Sequence, residues 1–139
     1  MNLKFRNCCE FHTEMIDLEF IEKRYNIIFP EQYKKIYSDL FKYVNKRVIS
    51  KDKELLCIMK YLNTSEIYSL KEDLFELMGY DIVPFADMGN EDYICFNFGK
   101  IIPSIDYWSY DLAMCSENAK DAVTLLFDSF EDFFNSLCI

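Results

Sequence analysis

The reading of IVPFADMGNEDYICFNF, residues 82–98, decides the fold. Ile82-Val83-Pro84-Phe85-Ala86 has the β-branched and aromatic content of a short strand. Its proline donates no backbone hydrogen bond, which points to an edge strand or a strand end. From Tyr93 the chain alternates, with Ile94, Phe96 and Phe98 on one side and Tyr93, Cys95 and Asn97 on the other, the period of a strand. Between the two lies a polar loop, Asp87-Met88-Gly89-Asn90-Glu91-Asp92. Gly99-Lys100 then turns the chain into a partner strand from Ile101 to about Ser109, interrupted by Pro103. The segment predicts an antiparallel meander.

Upstream the pattern is helical. Asp17 can cap a helix reaching about Tyr25, with Leu18, Ile21 and Tyr25 on one face. Pro30 suits the first turn of a second helix. Tyr33, Ile36, Tyr37, Leu40, Phe41 and Val44 have the spacing of a buried stripe, predicting helix over 30–44. After a polar turn at Ser50–Lys53, Leu55–Met59 reads as a buried strand. Asn63 caps a third helix with Ile67, Leu70, Leu74, Leu77 and Met78 buried, stopped by Gly79. Downstream, Asp111–Lys120 has no clear pattern and Val123–Phe127 reads as a last short strand. Asp128 with Glu131 forms a variant capping box for a final helix that buries Phe130, Phe133, Phe134 and Leu137. The layout is α+β, an antiparallel β-sheet over 82–86, 93–98 and about 103–109 with helices packed against it. At 139 residues, 1–139 is expected to be a single domain with its core at roughly 17–138.

Composition excludes several classes. Half the residues are apolar and 17% are aromatic, which is not the profile of a disordered chain. No run of about 18 apolar residues is present, so no membrane span is expected. Met1–Glu14 mixes Lys4, Arg6, Glu10 and His12 among its apolar residues and lacks the core of a secretory signal, which predicts a cytoplasmic location. Of six cysteines, Cys8 and Cys9 are adjacent while Cys57, Cys95, Cys115 and Cys138 are far apart. Without a C-x-x-C pair, and with His12 as the only imidazole, free thiols are expected rather than disulfides or zinc. An exposed, oxidisable role for Cys8 and Cys9 stays open.

Charge is distributed unevenly. Residues 1–50 carry nine basic and seven acidic side chains, 51–100 five and ten, and 101–139 one and seven. From Glu72 onward fourteen carboxylates face only Lys100 and Lys120. That sign argues against nucleic acid as a ligand. It suits a basic protein partner, although plain solubility charge gives the same imbalance. Nucleophilic catalysis would need His12, which lies in a poorly patterned segment. No P-loop, G-x-S-x-G or G-x-G-x-x-G motif is present and nothing calls for a cofactor. Asp87, Glu91 and Asp92 lack the spacing of a calcium loop, so a solvated turn is the plainer reading.

Three segments resemble the SUKH superfamily of Smi/Knr-like domains. The first, Ile21–Ile27 through Phe29-Pro30-Glu31-Gln32-Tyr33, is similar to its helix-to-helix corner. The second is Val83-Pro84-Phe85-Ala86 with Asp92–Asn97, similar to its hairpin, and Ile105-Asp106-Tyr107-Trp108 is similar to the return strand. The third, Leu126–Phe134, is similar to its closing signature. Together they span roughly 19–137. The family's acidic residue at the hairpin end is Asn97 here, and its glycine-rich segment is replaced by Tyr43–Lys53, which has no glycine. The resemblance implies an immunity protein of a polymorphic or contact-delivered toxin system, binding and occluding a cognate toxin with a basic, nuclease-type domain. A non-catalytic regulatory scaffold is the alternative within the family. A small enzyme is the alternative outside it. On the immunity reading the partner-binding residues are Asp87, Glu91, Asp92, Asp106, Tyr107, Trp108, Tyr110 and Asp111. Aromatic anchors among carboxylates suit an interface centre, while a lone Trp such as Trp108 equally suits the core. Monomer and weak dimer are both open.

Overall fold

A computed structural model describes residues 16–43 and 47–137. The readings that fall on Cys8, Cys9, His12, Val44 and Cys138 lie outside them. Helix α1, Leu18–Tyr25, starts where Asp17 accepts from the Phe20 N–H at 2.8 Å. It ends at Asn26, whose left-handed backbone (φ 56°) its short amide side chain tolerates.

The helix expected over 30–44 is α-helical only over Glu31–Ile36 (α2) and tightens to 3₁₀ over Tyr37–Tyr43. The packed residues Tyr37, Leu40 and Tyr43 recur every third position, which matches three residues per turn better than 3.6. Next comes a hairpin of which only half is legible in the sequence: β1, Arg47–Ile49, antiparallel to β2, Leu55–Cys57. Leu56 faces inward at 8% exposure beside Val48, while Leu55 is 58% exposed opposite Ile49. The expected buried strand over 55–59 is therefore a short strand with a single buried side.

The main sheet has five antiparallel strands in the order β3-β4-β5-β6-β7. These are Lys60–Tyr61, Ile82–Gly89, Asp92–Asn97, Ser104–Trp108 and Val123–Phe127. Between β3 and β4, Asn63 and Glu66 form a reciprocal capping box for α3, Thr64–Asp73, and a one-turn helix α4, Phe75–Met78, follows. Tyr110–Cys115 (α5) and a 3₁₀ turn at Ala119–Ala122 fill the stretch without a sequence pattern. The last helix, α6, spans Phe130–Leu137. Its cap is Ser129, whose hydroxyl accepts from the Asp132 N–H at 3.2 Å. Asp128, expected in that role, instead pairs with Lys51 at 3.0 Å.

Pro84 lies in a strand with neighbours on both sides, yet it occupies a local edge. β3 reaches only as far as Ala86, and the Leu62 N–H donates to the Phe85 carbonyl at 3.0 Å, so nothing beyond asks Pro84 for a donor. A bulge between Pro84 and Ala86 leaves Phe85 unpaired with β5, and its ring stacks on Phe96 at 4.5 Å. Tyr33 of α2 then meets Phe96 at 4.9 Å, Phe130 at 5.4 Å and Phe85 at 5.8 Å. Aromatic contacts of this kind add about 0.5–1.5 kcal/mol each beyond the area they bury. The opposite side of β5 is also covered, because Tyr93 and Cys95 are buried. The alternation of residues 93–98 thus separates two interior faces rather than an interior from a surface.

One charge lies inside. The Lys71 ammonium donates to the carbonyls of Gly79 at 2.5 Å, Ile82 at 2.6 Å and Tyr80 at 3.4 Å, and sits 4.8 Å from the centre of the Phe75 ring. It caps the end of α4, where carbonyls have no helical partner, and ties that end to β4. Burial pulls its pKa down to about 8. The folded value lies below that of an exposed lysine, so the folded chain releases this proton first. Lys71 therefore adds a climb in stability as pH rises above 8 toward about 10, by at most ~1.4 kcal/mol per pH unit, against the opposite contribution of the buried Cys95 thiol, which ionises first in the unfolded chain. Lys71→Met should destabilise by about 1–3 kcal/mol at neutral pH, since it strands buried carbonyls, and should flatten that climb. Urea melts of both proteins at several pH values up to about 9.5, below the tyrosine range, test this. An equal climb in Lys71→Met would assign it to another group.

Candidate partner-binding surface

The β4–β5 turn explains how several acidic residues meet. Asn90 and Glu91 both have positive φ, 55° and 65°, the requirement of the tightest hairpin turn, and Gly89 before them lies at 87°. The polar loop expected over 87–92 is thus a two-residue turn, with Asp87 and Asp92 belonging to the strands. Asp87 accepts from the Gly89 N–H at 2.8 Å, a local bond that fixes the approach to the turn. Glu91 projects from the turn, exposed.

Asp92 ties the hairpin to the end of β6. Its carboxylate accepts from the Tyr107 hydroxyl at 2.6 Å and from the Tyr110 N–H at 3.0 Å, the first residue of α5. Burial, then the bond to this carboxylate, pushes the Tyr107 phenol far above its ordinary range, so it stays protonated. Tyr93 is raised as well, first by burial and then by Asp87 and Glu91. Asp111 is exposed in the first turn of α5, which Ser109 caps through the Leu112 N–H at 3.2 Å. Asp87, Glu91, Asp92 and Asp111 have no ion-pair partner among the described residues.

Six of the eight expected residues therefore gather at one end of the sheet: Asp87, Glu91, Asp92, Tyr107, Tyr110 and Asp111. The other two do not join them. Trp108 is completely buried, between the rings of Tyr93 and Tyr110 at 6.2 Å each. Of its two open readings the core one holds, because β6 turns it to the interior side that Tyr93 also faces. Asp106, 2% exposed, is buried near the other end of the sheet, where it accepts from the Ser104 hydroxyl at 2.8 Å and the Asn97 side-chain amide at 2.9 Å. As a surface contact at the acidic end it is withdrawn.

Sequence reading missed Leu112 and Met114, which are 47% and 57% exposed on α5 beside Asp111. They give this acidic edge an apolar neighbour of the kind found in interface cores. Ser109, a good N-cap residue just before them, was the available signal. Among the described residues no group of three or more His, Cys, Asp or Glu side chains is arranged to hold a metal ion. No helix among them is long and apolar enough to cross a membrane. Cys57, Cys95 and Cys115 are free thiols, and burial raises the pKa of Cys95 well above the ordinary value.

Helices packed on an antiparallel sheet define an α+β domain. The chain belongs to the SMI1/KNR4 family (SUKH-1), whose model matches residues 15–136. That family includes toxin immunity proteins, and its members are generally non-catalytic immunity or regulatory proteins. No curated protein and no solved structure matches the chain.

Trp108→Ala should act on folding. Removing a fully buried indole costs about 3–5 kcal/mol, read as a lowered thermal midpoint. A variant that melts like the parent would return Trp108 to the surface.

Proposed function

We propose that this protein is an immunity protein that binds a basic toxin in the cell that makes both and occludes the surface the toxin needs for its substrate. The reading is supported most by one observation: Asp87, Glu91, Asp92 and Asp111, without ion-pair partners among the described residues, lie at the end of the sheet where Asp92 holds Tyr107 and Tyr110. A nuclease-type toxin must present cations to phosphate, and carboxylates on a rigid sheet end complement that pattern. Tyr107 and Tyr110 supply shape-fixed aromatic area, and Leu112 and Met114 supply apolar surface beside it. The carboxylates steer the encounter; the apolar residues slow dissociation.

Glu91 and Asp111 are exposed and make no side-chain hydrogen bond or ion pair among the described residues, whereas Asp92 fastens Tyr107 and Tyr110. Against a toxin domain encoded beside this gene, Glu91→Lys and Asp111→Lys should each slow association roughly two- to tenfold at low salt, with unchanged melting. Asp92→Lys should slow association and also lower the melting temperature. Stopped-flow association across a salt series checks all three. Association that ignores both salt and the two exposed reversals would mean that the partner docks elsewhere and that the acidic end serves solubility alone.

A further inference from the structure

At the end of the sheet opposite the Asn90–Glu91 turn lies a cavity of about 620 Å³ that the acidic surface does not use. Met78, Ile82, Val123 and Leu125 give it apolar walls, Asp106 lines it from within the sheet, and Lys100 is the one basic residue of its lining. Asp106 is 2% exposed and has two neutral donors, Ser104 and Asn97, but no ion-pair partner among the described residues. A carboxylate accepts about four hydrogen bonds, so capacity remains. An unpaired buried charge is costly, and a cation that reached it would recover much of that cost.

Asp81 lines the cavity too, and Gly99 stands against it: a Cβ at Gly99 would meet the Asp81 Oδ2 at 2.8 Å and the Asn97 Oδ1 at 3.1 Å. Without a side chain at 99, the Asp81 carboxylate shares the rim with Asn97. An anion would meet two aspartates against the single Lys100 of the lining. A neutral apolar group would seal Asp106 in without a counter-charge. A long aliphatic stem ending in a cation matches both the walls and the base.

We infer that this cavity is a socket for an arginine side chain of a protein partner, its stem against the apolar walls and its guanidinium on Asp106. Guanidinium is favoured over ammonium because it is the more weakly hydrated and its planar fork can engage a carboxylate through two donors. The socket deepens the reading above, since a basic partner carries such side chains, but its test needs no toxin.

The test uses ¹⁵N-labelled protein and three probes. They are agmatine, a blocked Ala-Arg-Ala peptide, and the same peptide with neutral citrulline. Agmatine and the arginine peptide should give saturable shifts at the Gly99 and Ser104 amides and the Asn97 side chain, with millimolar affinity. The citrulline peptide should not. Asp106→Asn should weaken binding about tenfold or more, the scale of one lost charge-assisted contact. Asp81 is exposed, so Asp81→Asn should fold even if Asp106→Asn does not, and should weaken binding several-fold. Three results would each overturn the socket: no saturable shift, equal binding of citrulline, or agmatine bound while the arginine peptide is excluded. The last would assign the cavity to a free small amine. Reversals at Glu91 and Asp111 should leave this titration unchanged, so the socket and the acidic surface succeed or fail separately.

Discussion

Everything on the helical side of this domain is organised by the edge of one ring. Tyr33 of α2 meets Phe96 from the middle strand of the sheet, Phe85 from the bulge in its neighbour, Phe130 from the last helix and Phe29 from the loop before it. Those contacts join segments nearly a hundred residues apart in sequence. The bulge in β4 matters because it frees Phe85 from the pairing register and lets it stack on Phe96. A domain with only three glycines has few places to bend, and it spends its irregularity here, on aromatic packing, and in the hairpin turn.

The two interior faces of β5 follow from the same arrangement and separate the roles of the two sheet ends. The face carrying Ile94 and Phe96 is dry and aromatic. The other carries Tyr93, Cys95 and Asn97, with Trp108 and Asp106 beside them on β6. Along that second face the character changes from aromatic at the hairpin end to polar at the cavity end. Asn97 contributes directly, because its amide donates to Asp106 across the pair of strands. An aspartate at position 97 would set two carboxylates against each other in the same space.

Local chemistry was legible in the sequence; long-range burial was not. The caps at Asp17 and Asn63 depend on neighbours within a few residues and occur as read, whereas Gly79 ends the one-turn α4 rather than the helix that Asn63 caps, which stops at Asp73. The strands at 82–86 and 93–98 and the return strand were legible from composition and alternation. The hairpin turn was not, because Asn-Glu lacks the glycine that usually marks two positive φ values, although Asn90 tolerates one. Lys71 was illegible for a different reason. Its environment consists of backbone carbonyls eight to eleven residues away and an aromatic ring, none of which has a charge signature. Within the candidate site, the hairpin carboxylates and the two tyrosines could be placed near one another from sequence because the return strand follows the hairpin. Asp106 and Trp108 were misplaced because strand pleating turns alternate residues inward, and in a sheet covered on both sides there is no outward alternative.

The margin of the sheet at β3 has a consequence for how any partner can engage. The carbonyls of Phe85 and Asp87 on that side are already taken by the amides of Leu62 and Met59, and Pro84 beyond them has no amide to give. A foreign chain therefore cannot pair with β4 along that stretch, and β3 itself offers it only the two residues Lys60–Tyr61 to continue. Recognition at that margin has to be read from side chains, which can vary one at a time while the backbone that carries them stays the same. Such a margin lets specificity drift quickly between related proteins, and it denies misfolded copies a template on which to polymerise.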